Sequence, residues 1–210
     1  MLGGYLVILW LSIFSILSYI FCSILKLQTP LLRTIFVWTF CMIFVSIFEL
    51  LLLFYYKYLQ KKGEYYYKNN KCYWLENNNV TDMFSYKMYM DLYADYSLSD
   101  KRYCKTFTNQ GSRFVILGEL VHGFFCILFA PIILYYFINF DELSIYLYSI
   151  IFVAIQFALI IWYLGSVCVE MCFVKNNKFW WPPLLWNVPW VIVPLYVIYY
   201  GIKKIKSLSV

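Results

Sequence analysis

Five apolar runs organise the chain, at roughly 4–25, 34–56, 114–139, 144–167 and 182–202. Each is close to the ~20 residues that a helix needs to cross a hydrocarbon core. Backbone groups in lipid must be satisfied within the segment itself, so the runs are read as helices. The polar positions fall between them. "LKLQTPLLR" separates the first pair, with Pro30 as a stop, and "NFDEL" makes a tight turn between the third and fourth. "VEMCFVKNNKFWWPP" precedes the fifth, and its tryptophans suit the headgroup level. The connection 57–113 is long and polar; its "YADYSLSDKRY" is too polar to span and is expected to cap the bundle. The pattern predicts an all-α integral membrane protein, a five-transmembrane-helix bundle with a long polar loop between helices 2 and 3.

Composition strengthens this picture. Of 210 residues, 63% are hydrophobic, 23% aromatic and only 13% charged, whereas soluble domains are near half apolar and a quarter charged. The net charge of +6 comes mostly from clusters such as "KYLQKK" and "KKIK" beside apolar runs, where they anchor helix ends. The terminal "KKIK" lies close to a span and argues for a cytoplasmic C-terminus. No nucleic-acid motif is present. The start, "MLGGYLVILWLSIFSILSYIF", lacks a basic leader and reads as a retained first span. Of the seven cysteines, Cys22, Cys41, Cys126 and Cys168 lie in or near apolar runs and act as small hydrophobes. Cys72 and Cys104 share one polar loop and are able to pair if it is lumenal; the sequon Asn79-Val80-Thr81 carries the same condition. Nothing suggests a metal, nucleotide or flavin site.

The informative positions are polar residues inside the spans, which cost at least ~2.5–3.5 kcal/mol each when charged and so tend to face a bundle interior. The second run holds Glu49, with Ser46 on the same face. The third holds Glu119 and His122, the chain's single histidine, at i and i+3, with Cys126 continuing the face. Ser149, Gln156 and Tyr163 align on the fourth, and Asn187, Trp190 and Pro194 on the fifth. Four helices thus aim polar groups inward. Taken singly, several have plainer readings: Gln156 and Asn187 as bonds between helices, Trp190 as packing, Glu119 as a near-interface residue, His122 as a neutral histidine bonded to a carbonyl. Together they predict a polar-lined site. In an apolar pocket a carboxyl group favours its neutral form and serves as an acid; a second group takes a proton elsewhere on the substrate. An aromatic face such as Trp190 stabilises a passing cation. The substrate is expected to be a membrane-soluble apolar molecule.

These motifs resemble the emopamil-binding protein (EXPERA) family, whose members include sterol Δ8–Δ7 isomerase. "FELLLLFYY" is similar to the family's second-helix acid, aliphatic run and paired tyrosines, with Glu49 on the acid. "YADYSLSDKRY" resembles the isomerase loop W-K-E-Y-x-x-x-D-S-R-Y, with Asp95, Tyr96, Asp100, Arg102 and Tyr103 matching or nearly so. Gln156 falls on the fourth-helix glutamine, and "NVPWVIVP" fits N-x-x-W-x-x-x-P in the last helix. The resemblance covers 34–205 as an EXPERA-like four-helix domain, leaving 1–33 as a first transmembrane helix with a short loop and 206–210 as a tail. There are departures. Val45 stands where the isomerase pattern has a histidine, and His122 falls on the third-helix glutamate, with Glu119 one turn earlier. The stretch before this helix is longer than the family's, and the glycine and acid after the fourth-helix glutamine are missing.

The resemblance implies an endoplasmic reticulum membrane protein of sterol metabolism. It needs no cofactor, takes a sterol or other lipophilic small molecule among membrane lipid, and allows a homodimer. Glu49, His122 and Glu119 become the proton carriers of a double-bond migration, and Gln156, Asn187, Trp190, Tyr103, Asp100 and Arg102 the substrate contacts. Two other readings stay open: a non-catalytic sterol or lipophilic-ligand binder of the same fold, and a scaffold whose polar residues only join helices.

Overall fold

The computed structural model describes residues 2–95, 98, 102, 110–171 and 187–208. Six α-helices are formed there: α1 (Gly3–Ile24), α2 (Pro30–Asn69), α3 (Tyr86–Asp95), α4 (Gln110–Ile138), α5 (Glu142–Met171) and α6 (Val188–Leu208). Five of them, all but α3, are long and apolar enough to cross a membrane, and the chain is a multi-pass membrane protein. Large apolar side chains such as Ile8, Ile16, Phe54, Leu117, Leu128 and Ile161 point outward, as lipid-facing residues do.

The helix ends follow local chemistry. Thr29 caps α2, accepting the Leu32 N–H at 3.2 Å, and Pro30 occupies the first turn, where its missing N–H costs nothing. Asn70 ends α2 in the left-handed conformation (φ 49°). Asp141 caps α5 by accepting the Ser144 N–H at 3.1 Å, just after Phe140 turns the chain at φ 56°.

α2 differs from the expectation. It runs for 40 residues, ~60 Å at 1.5 Å per residue, about twice the hydrocarbon thickness. The polar stretch from 57 is therefore not yet loop: "KYLQKKGEYYYKN" continues the helix beyond the apolar run, with Glu64 and Lys68 paired at 2.6 Å one turn apart. The connection to the next membrane-length helix, α4, starts at 70 rather than 57. Its described part holds two short 3-10 turns (Tyr73–Leu75 and Val80–Phe84) and the helix α3. Asn79 of the sequon is exposed at the start of the second turn. Cys104, proposed above as a partner for Cys72, lies outside the described residues, as do Trp180 and Trp181 of the expected headgroup belt.

α2 packs chiefly on α4 and α3, α4 on α5, and α5 on α6, while α1 lies against α2 and the first 3-10 turn. That last contact is close: a Cβ on Gly3 would collide with the Tyr73 carbonyl and ring, and the Gly3 N–H reaches the Glu76 carbonyl at 2.9 Å. The core has two parts. One lies among α2, α4, α5 and α6 around Met42, Cys126, Ala130, Tyr146, Phe152 and Val197. The other fills the space beneath α3, around Leu52, Leu59, Tyr66, Tyr73, Met88 and Ala94. The site described next lies where these two parts meet.

Candidate active site

α2 and α4 approach closely at Gly123. A Cβ there would stand 3.1 Å from Glu49 Cβ and 3.3 Å from the Ser46 carbonyl. This small residue lets the two helices bring their ionisable side chains together. His122 precedes it, and its Nδ1 faces the Glu49 carboxylate, 2.7 Å from Oε2 and 2.9 Å from Oε1. Both residues are buried, Glu49 at 3% and His122 at 8% exposure. Ser46, on the Glu49 face of α2, bonds back to the Met42 carbonyl.

The other ring nitrogen is also engaged. His122 Nε2 lies 3.2 Å from Cys126 Sγ, one turn along α4, and 3.4 Å from Gln156 Nε2 on α5. The Gln156 amide also reaches Cys126 Sγ at 3.2 Å, and its oxygen accepts from Trp38 Nε1 at 2.8 Å. Trp190 of α6 stands edge-on to both His122 and Trp38, with ring centroids 5.1 and 5.2 Å apart.

Beside this cluster lies a partly open cavity of about 110 Å³. Glu49, Glu119, His122, Gln156, Asn187 and Trp190 line it, and apolar side chains including Val45, Val115, Leu159 and Ile160 complete the wall. Tyr93 of α3 reaches it from the cap. Six of the nine residues expected at the site from sequence thus meet at one cavity.

The remaining three do not join them. Arg102 is buried, but its guanidinium donates to Ser166 Oγ at 2.9 Å and lies 5.9 Å from the Phe114 ring centre. It touches the cavity through that lining ring rather than by lining it itself. Asp100 and Tyr103 lie outside the described residues. Of the fourth-helix stripe, Tyr163 lines the cavity with Gln156, whereas Ser149 is buried away from it. Asp95 of the loop motif faces the connection instead: its Oδ1 accepts the Tyr73 N–H at 2.8 Å.

Sequence reasoning missed Trp38 and Gly123. Trp38 precedes Glu49 by eleven residues, three helical turns, so it shares the Glu49 face. Its indole N–H, the one polar atom of an otherwise apolar run of rings, was the available signal. Comparison with family models finds no match. None is found among curated proteins or among solved structures.

Proposed function

We propose that this chain is a membrane-embedded isomerase of the sterol Δ8–Δ7 type, moving a ring double bond by proton exchange inside the cavity. The observation that carries the reading is the Glu49–His122 contact at 2.7 Å on the wall of an apolar hollow. The motif resemblance supplies the substrate class. The departure at Val45 supports it too, because His122 arrives at Glu49 from the facing helix while Val45 lines the same cavity. A cavity of this size takes the reacting edge of a ring system, and the rest of the lipid extends through the open side.

The reaction is redox-neutral. One carboxyl group delivers a proton to an alkene carbon and leaves a carbocation at its neighbour. A base then removes a proton from the next carbon, and the double bond forms one position along. Protons are conserved over the cycle. Glu49, held by His122, is one proton-exchanging group, and Glu119, one turn from His122 on the same wall, is the second carboxylate. The Trp190 ring offers its negative face to the cation, and the apolar wall keeps water from capturing it. Gln156 and Asn187 orient the ligand's polar end. The endoplasmic reticulum membrane, where sterols are processed, is the setting this reading implies.

A second reading has its own observation. Both ring nitrogens of His122 are engaged by protein groups, which suits a non-catalytic binder of lipophilic ligands. One experiment separates the two. The chain is expressed in cells lacking sterol Δ8–Δ7 isomerase and the sterols are profiled. The isomerase reading expects Δ7 sterols to reappear. Persistent Δ8 sterols with well-expressed protein would remove it and leave the binder.

A further inference from the structure

We infer that Trp38, Gln156 and Cys126 form a one-way hydrogen-bond chain that fixes His122 as a neutral imidazole with its proton on Nδ1, turned toward Glu49, which makes Trp38 and Cys126 positioning residues of the site.

The direction of the chain is set at its start. An indole N–H only donates. The side-chain atom of Gln156 that stands 2.8 Å from Trp38 Nε1 is therefore its oxygen, and the amide nitrogen is turned the other way. That nitrogen carries two hydrogens and faces Cys126 Sγ at 3.2 Å and His122 Nε2 at 3.4 Å. A nitrogen that meets an amide donor must present a lone pair, so Nε2 is unprotonated. The Cys126 thiol, 3.2 Å from Nε2, then donates its S–H to that lone pair while its sulfur accepts from Gln156. With Nε2 bare, the ring proton of the neutral histidine sits on Nδ1 and donates to the Glu49 carboxylate. The chain leaves α2 at Trp38, crosses to α5 and α4, and returns to α2 at Glu49. Every donor along it has an acceptor, as a buried network requires.

The alternatives leave a mismatch. A proton on Nε2, in the other neutral form or in the imidazolium, would set two N–H groups, those of His122 and Gln156, 3.4 Å apart on the one Cys126 sulfur and leave the thiol hydrogen without an acceptor in the chain. Turning the Gln156 amide over would repair that contact and set its NH₂ against the Trp38 N–H instead.

The consequence for chemistry rests on the isomerase reading. With Nε2 capped and Nδ1 shared with Glu49, His122 has no free nitrogen to offer a ligand. Glu49, which lines the cavity, is then the group that touches substrate. His122 holds the carboxylate in place through its Nδ1–H bond, and Glu49 itself carries the proton to and from the substrate.

The chain has one histidine, so full-length protein carrying ¹⁵N-histidine, in micelles or lipid nanodiscs, gives one imidazole to observe. Ring-proton correlations distinguish the nitrogens, because Hδ2 couples most strongly to Nε2. The expected spectrum has Nε2 in the unprotonated range, far downfield, and Nδ1 in the protonated range. A bare Nδ1, a doubly protonated ring or an averaged pair in the wild-type protein overturns the proposal, whether or not any variant folds. Trp38→Phe keeps the ring and removes the donor. The Gln156 amide is then free to turn, and the Nε2 signal is expected to move upfield toward the protonated range. An unchanged spectrum from folded Trp38→Phe overturns the role given to Trp38. Gln156→Glu places an acceptor at Nε2 and is expected to protonate it; a bare Nε2 in that folded variant also overturns the chain. The sterol profile reports independently. If Δ8 sterols persist while the wild-type spectrum is as expected, the isomerase reading fails and the tautomer assignment stands.

Discussion

Glu49 inside the helix bundle and Asp95 beneath the cap are buried almost equally, at 3% and 4% exposure, yet their surroundings differ in kind. Glu49 has a histidine within 2.9 Å of both oxygens and a cavity beside it. Asp95 has one donor, the Tyr73 N–H, and its Oδ2 has no partner among the described residues. Its neighbour Asp91, one turn back on α3, accepts from Tyr58 at 2.7 Å and stands 3.7 Å from Lys62. Lys62 in turn is shared with Glu76, which also accepts from Tyr66. Asp91, Asp95, Glu76 and Lys62 gather beneath the cap, packed among aromatic rings. Burial of Asp95 holds its carboxyl well above the usual range, and the negative charges of Asp91 and Glu76 push the same way.

The difference separates a chemical site from a clamp. At the cavity the carboxylate is held by a histidine and faces a hollow open to a ligand. Under the cap the carboxyl groups tie α3 and the connection to α2, fixing backbone and phenol groups in place. The two regions touch through Tyr93, which belongs to α3 and lines the cavity. The clamp therefore sets one wall of the site without entering its chemistry.

The largest effect that tests this division is on turnover. Glu49→Gln keeps the side-chain shape and removes the exchangeable proton. General acid–base groups contribute ~10²–10⁴-fold, so the Δ8-to-Δ7 conversion is expected to fall by that factor while sterol-ligand affinity stays within a few-fold. Equal losses in binding and turnover would make Glu49 a packing residue. His122→Phe comes next. It leaves the Glu49 carboxylate buried and without its hydrogen-bond donor, which costs about 3 kcal/mol or more for a charged group. Unfolding in detergent, followed by circular dichroism, measures it. A cost below ~1 kcal/mol would place Glu49 in contact with water and erase the contrast with the surface.

Tyr58→Phe probes the clamp. Removing the phenol takes one hydrogen bond from Asp91, and bonds to charged groups are worth about 1.5–3 kcal/mol. Stability is expected to drop by that amount with little change in the catalytic constant. Gly123→Ala lies between the regions in character. The added methyl must fit 3.1–3.3 Å from Glu49 and Ser46, so the helices part by a few tenths of an ångström at about 1 kcal/mol. Turnover should suffer more than stability, because the Glu49–His122 contact opens. The reverse order would mean that Gly123 serves packing alone.

Much of this was legible in the residues. Five apolar runs were enough for the five membrane-length helices, because in lipid a span has few alternatives. Glu49, His122 and Gln156 stood out because charge and amide are expensive there. Other features were not legible, for identifiable reasons. The far half of α2 is polar, and polar helix resembles loop when only hydropathy is read; the clue was spacing, as in Glu64 and Lys68. Trp38 was hidden among Phe36, Phe40 and Phe44, where one indole N–H changes no hydrophobic pattern. Asp95 matched the same loop motif as the expected ligand contacts Asp100, Arg102 and Tyr103, but a linear motif does not tell which way its acid turns.

The smallest effect is also the sharpest for the clamp, because it depends on sign. The Asp95 carboxyl in the folded protein lies well above its ordinary value of 3.8. The folded state thus binds this proton more tightly than the unfolded chain does. The stabilisation is fully present below pH 3.8 and is lost as pH rises through the raised folded value; above that it is constant. Wild-type stability is therefore expected to decline with rising pH over that window. Asp91, also raised by burial but opposed by Tyr58 and Lys62, adds a weaker contribution in the same direction. Asp95→Asn retains the oxygen that accepts the Tyr73 N–H and removes the titration, so the decline should become shallower, with the Asp91 share remaining. Unfolding curves collected across the acid range, for wild type and Asp95→Asn side by side, make the comparison. A slope identical in both would mean that Asp95 already shares its charge with a cation or with water. The cap would then bury its acid much as the cavity does, and the distinction between clamp and site would have to rest on the cavity alone.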